Sequence, residues 1–74
     1  MSSINHSLSM REREVLNLIV NEFTIKEIAD QLYISVHTVI SHRKSIQGKL
    51  NAKNTAGIVR RAFELNYYNV QSII

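Results

Sequence analysis

Residues 24–50 read TIKEIADQLYISVHTVISHRKSIQGKL, and this stretch decides the fold. It carries two helix-start signals, Thr24 with Glu27 three residues on and Ser35 with Thr38 three residues on. A serine or threonine at such a position accepts a hydrogen bond from the amide three residues later, and a glutamate there reaches back to the cap. Between the two signals Ile25, Ile28, Ala29 and Leu32 repeat at helical spacing, which puts them on one face and Lys26, Glu27, Asp30 and Gln31 on the other. The stretch therefore predicts helix, tight turn, helix, with the helix-turn-helix proper over 25–44.

In the second of these helices, about 100° of rotation per residue brings Val39, Arg43, Ile46 and Leu50 within roughly 60° of one another, with Val36 at the margin. That is its core side. The opposite side collects His37, Ser41, Lys44 and Gly48, flanked by Ile40 and Ser45, without a carboxylate. A helix with one apolar edge and one small, basic edge fits a major groove about 12 Å wide. An ordinary solvated face has the same composition, so the charge around it has to decide.

The chain carries 9 Lys and Arg against 6 Asp and Glu, a net charge of +3. Its distribution says more than its sum. Residues 1–34 hold Arg11, Arg13 and Lys26 against Glu12, Glu14, Glu22, Glu27 and Asp30, whereas residues 35–61 hold Arg43, Lys44, Lys49, Lys53, Arg60 and Arg61 with no acid. Basic charge concentrated from the second helix onward points to a polyanion, because phosphate contacts supply most of the sequence-independent affinity of a nucleic-acid binder.

Outward from this centre, Ser9 and Glu12 form a capping box with Leu8 placed as a hydrophobic staple, and a first helix follows over about 10–21. Its Val15, Leu16, Leu18 and Ile19, with Phe23 beyond, make a stripe wide enough to be gripped on more than one side. Asn21 is the expected left-handed residue of the short connection, and Tyr33 is expected to pack between helices. The recognition-type helix spans about 36–50, closed by Asn51, and a last helix spans about 55–65, capped by Asn54 or Thr55 and ended by Asn66. Its Ile58, Val59, Ala62, Phe63 and Leu65 are more apolar positions than one narrow contact needs, which suits either the single core or a second copy of the chain. Residues 1–8, with His6, read as a flexible arm or linker stub, and 67–74, with Val70, Ile73 and Ile74, as a tail.

With 74 residues, one domain over 9–66 and one small all-α core are expected. There is no cysteine, which rules out disulfides and thiolate metal sites, and no apolar run near the ~20 residues that span a bilayer. A cytoplasmic protein without membrane association is expected. His37 and His42 are about 140° apart around a helix and cannot share a metal within one turn, and no glycine-rich phosphate loop or HExxH occurs. Neither catalysis nor a cofactor is expected.

Leu8-Ser9-Met10-Arg11-Glu12-Arg13-Glu14-Val15-Leu16, Lys26-Glu27-Ile28-Ala29, Leu32-Tyr33-Ile34-Ser35, Thr38-Val39-Ile40-Ser41-His42-Arg43 and Lys49-Leu50 together resemble the LuxR-type helix-turn-helix of bacterial transcription regulators. The likeness covers about Leu8 to Leu65, in the family's order and spacing. It implies an all-α, four-helix domain that binds double-stranded DNA, with the third helix in the major groove and the fourth forming a homodimer on a pseudo-palindromic site. Carried over, base reading falls to Ile40, Ser41 and Lys44 with His37 near the helix start, and phosphate contacts to Lys26, Thr38, His42, Arg43 and Lys49. The dimer face falls to Val59, Ala62 and Phe63, and RNA polymerase is a further implied partner.

Two departures stand out. Ile40 occupies a place where the family often has a polar or basic side chain, and Gly48 one where a longer residue is common. In most relatives a receiver or ligand-sensing domain precedes this one; none is present in these 74 residues, so the chain reads as a stand-alone regulator or a C-terminal output domain. The competing readings are region four of a sigma factor and an adaptor that binds protein through a degenerate helix-turn-helix.

Overall fold

The computed structural model describes residues 8–65 as four helices, α1 (Met10–Val20), α2 (Ile25–Leu32), α3 (Val36–Lys49) and α4 (Thr55–Leu65). Residues 1–7 of the expected arm, the tail after 66 and the Asn66 terminator lie outside the described residues, whereas Leu8, the arm's last residue, is buried in the core. The first and third helices end one residue earlier than expected, within the usual fraying of helix ends.

Every helix begins on a side-chain cap. The Ser9 and Thr24 hydroxyls accept from the amides of Glu12 and Glu27, while both glutamates reach back to the cap amides. Ser35 Oγ accepts from the Thr38 amide at 3.0 Å, and Asn54 Oδ1 from the Gly57 amide at 2.9 Å, which settles Asn54 as the cap of α4.

The first three helices also end alike. After α1 the Phe23 amide donates to Leu18 O and that of Glu22 to Ile19 O; after α2, Ile34 to Ala29 O and Tyr33 to Asp30 O; after α3, Ala52 to Gln47 O and Asn51 to Gly48 O. This is the Schellman pattern, and it puts Glu22, Tyr33 and Asn51 in the left-handed region with φ of 69°, 58° and 57°. The next residue in each case, Phe23, Ile34 or Ala52, packs on the core. Asn51 stands as expected, but the first connection turns on Glu22 and not on Asn21, whose φ is −91°. Tyr33 is corrected as well. The left-handed turn throws it outward at 94 % exposure, and Ile34 is the residue that seals the α2–α3 junction.

Leu8, Val15, Leu16, Ile28, Ala29, Val39, Ile46, Leu50, Ile58 and Ala62 make the buried core. Helix α3 supplies Val39 and Ile46 and its cap Leu50, packing against α1, α2 and α4. Helix α1 also touches all three others, as its wide apolar stripe requires. A helix held along one edge by three neighbours presents its other edge as a rigid rod. Among the described residues, no helix is long and apolar enough to cross a membrane and no cluster of His, Asp and Glu could hold a metal ion.

Candidate nucleic-acid interface

The outward edge of α3 carries His37, Ser41, Lys44 and Gly48, all exposed, with Ile40 half-buried beside them. Glycine in a helix interior costs about 1 kcal/mol against alanine. Gly48 has no positive φ and no atom within 4 Å of an added Cβ, so nothing inside the domain requires it.

Thr38 sits in the first turn with its hydroxyl 2.9 Å from that of Ser35, exposed beside the open amides of the helix start. Lys26 is exposed in the first turn of α2. His42 is half-buried. Arg43 is half-buried too, as its place among Val39, Ile46 and Leu50 requires, and lines a cavity of about 270 Å³ with Phe23, Ile28 and Thr55. Its Nε is covered and has no hydrogen-bond partner, so a charged donor stands unmet.

Ser45 does not flank the outward edge. Its hydroxyl donates to Glu12 Oε2 at 2.6 Å, and Lys49 Nζ lies 2.9 Å from Glu12 Oε1, which also accepts from the Ser9 amide. Glu12 is the one buried charged residue of the described core. Burial pushes its carboxyl up, but hydrogen bonds from Ser45, Lys49 and the Ser9 amide, with the Lys49 charge, outweigh that and hold it at about 2. One carboxylate thus caps α1 and clamps the C-terminal half of α3. The sequence carries the signal, since Glu12 lies at i−3 and i−4 from Val15 and Leu16 and so shares their buried face.

On α4, Val59 is half-buried and Phe63 is 49 % exposed, so both reach the surface. Ala62 is corrected: it is wholly buried beside Ile58 in the core and cannot belong to a face between two copies. Arg61 and Arg60 both pair with Glu64, at 3.1 and 3.2 Å, and hold its carboxyl below the ordinary value.

Comparison with known proteins agrees with this arrangement. Residues 6–62 match the model for bacterial regulatory proteins of the luxR family. Over 57 residues the chain is 44 % identical to the transcriptional regulatory protein MctR of Rhizobium johnstonii and 44 % to the oxygen regulatory protein NreC of Staphylococcus carnosus. These alignments take in 77 % of this chain but only 27 % and 26 % of those proteins, so the chain spans about a quarter of their length. A solved LuxR-type receptor, the Vibrio cholerae VqmA dimer in the absence of target DNA, superposes with a TM-score of 0.81 at 26 % identity, over 82 % of this chain and 28 % of that one. With four helices in the family's order, a helix-turn-helix at their centre and the family's sequence pattern across most of its length, this chain belongs to the luxR family of DNA-binding bacterial transcription regulators.

Proposed function

We propose that the chain binds a specific double-stranded DNA sequence through α3 in the major groove, as a homodimer on a pseudo-palindromic site, to regulate transcription in the cytoplasm. The observation that carries this reading is the outward edge of α3, which is exposed, free of acid, and built on a helix held by three neighbours. His37, Ile40, Ser41 and Lys44 read bases. Lys26, Thr38, His42 and Arg43 contact phosphates. Lys49 makes a phosphate contact only with an ammonium already shared with Glu12. The second copy pairs through Val59 and Phe63 of α4, setting two recognition helices about 34 Å apart, one turn of DNA. RNA polymerase is a further partner.

Titration of a fluorescent duplex at two salt concentrations tests the reading. A regulator loses affinity steeply as salt rises, because bound counterions are released on binding. An adaptor shows no duplex binding at either salt, and that result would refute the proposal.

A further inference from the structure

Two half-buried aliphatic side chains among the described residues, Ile40 and Val59, are not packed on the core. Val59 lies on the face assigned above to a second copy. Ile40 lies on α3, one turn after Val36, which is 42 % exposed. Residues four apart stand one above the other on a helix, so Val36 and Ile40 form a short apolar ridge. Beside it run His37, Ser41 and Lys44. The ridge occupies the first two turns of α3, the part of a recognition helix that meets base edges. The major groove offers one apolar group to such a ridge, the 5-methyl of thymine.

We infer that Ile40, backed by Val36, selects a thymine in each half-site by packing on its 5-methyl group. The inference rests on the DNA-binding reading above and adds the base that α3 prefers. Ser41, next to Ile40, is short enough to let the backbone close on the groove floor. Lys44 is one turn further on, about 6 Å along the axis. That is less than two base steps of 3.4 Å, so the base Lys44 reads lies within two steps of this thymine. Lys44 is an exposed ammonium without an ion pair among the described residues, and a guanine with its O6 and N7 acceptors is the base that suits it.

The test begins with selection of bound duplexes from a random pool, which is expected to return a half-site holding T with G within two steps. Each thymine of that site is then replaced singly by deoxyuridine, which removes the methyl and leaves base pairing intact. At one thymine the loss should be about fourfold, the worth of one buried methyl-sized group. In Ile40→Ala the same thymine and deoxyuridine duplexes should bind equally. Since Ile40 packs on no core residue, the variant should melt with the parent chain, and circular dichroism checks that it does. Equal binding of thymine and deoxyuridine by the parent chain at every position overturns the inference, as does a fourfold preference that survives Ile40→Ala. Failure to enrich any duplex overturns the DNA-binding reading itself, so the two failures are told apart.

Discussion

Replacing Glu12 by glutamine removes one charge from a site that needs it while keeping the shape. The amide oxygen can still accept from the Ser9 amide and from Lys49, and the amide nitrogen can donate to Ser45 Oγ. What is lost is the preference of the fold for the ionised group. That preference follows from a carboxyl that titrates at about 2 in the folded chain against an ordinary value of 4.5. At 1.36 kcal/mol per pH unit the gap corresponds to about 3 kcal/mol at neutral pH. A domain of this size has a total stability of about 4–11 kcal/mol, so the variant should melt about 10 °C or more below the parent. The sign of the pH dependence is fixed. Above pH 4.5 the carboxylate is ionised in both states and the stabilisation is fully present. As pH falls from 4.5 toward 2 the unfolded chain binds the proton first, and the stabilisation is lost. Urea unfolding of both chains at several pH values between 7 and 2 gives the difference directly, and other carboxyls cancel in it. A gap of about 3 kcal/mol at pH 7 that shrinks steadily toward pH 2 is expected. No gap at pH 7, or one that stays constant down to pH 2, would refute the assignment of Glu12 as a charged clamp between α1 and α3.

Gly48→Ala should stabilise the fold by ~0.5–1 kcal/mol, a rise of several degrees in Tm, because the added Cβ meets nothing within 4 Å and helix propensity improves. Lys44→Ala should weaken the selected site by ~1–3 kcal/mol and relax the preference at one base pair, whereas Lys26→Ala should weaken all duplexes alike and lower the salt slope by about 1; competition binding at two salts separates them. Val59→Asp should leave helicity by circular dichroism and half-site binding intact and abolish cooperative binding to the full site in gel shifts. Collapse of helicity would make Val59 a core residue, and an unchanged full-site affinity would remove it from the pairing face.

Much of this fold is written in short-range chemistry. Capping boxes at Ser9–Glu12 and Thr24–Glu27 and the apolar spacing of α2 need only neighbours a few residues away, and the start of each helix follows from them. The turns were less legible. A left-handed residue is usually glycine or asparagine, but here Glu22 and Tyr33 adopt it because the chain must reverse direction while Phe23 and Ile34 reach the core. Tyr33, read as a packed aromatic, is exposed for that reason. Ala62 and Ser45 were misplaced for another. Which of several apolar positions on α4 faces inward depends on its packing against α1 and α3, and which way a serine at the margin of α3 turns depends on Glu12, 33 residues away in sequence. Such pairings leave no trace in a helical repeat.

Ion pairs made in the fold change what the charge distribution means. Six cations stand between residues 35 and 61 without an acid in that stretch, yet the acids that answer some of them come from outside it. Glu12 takes Lys49, and Glu64 takes Arg60 and Arg61. Arg43, Lys44 and Lys53 remain, joined by Lys26 from α2, as cations without an ion pair among the described residues. The paired arginines are also on the helix assigned to a second copy, where neutralised charge lowers the repulsion between two like subunits. With Lys44 assigned to a base, neutralising three phosphates through Lys26, Arg43 and Lys53 gives a log–log salt slope of about −2.7 per chain, by −0.9 for each. Recruitment of the three paired cations would steepen that to about −5.4, by the same −0.9 for each, and each would first have to leave its carboxylate. The shallower slope is therefore the one this arrangement of charges favours, with α3 carrying only one of the three contacts and leaving its outward edge, from His37 through Ile40 and Ser41 to Lys44, for the bases.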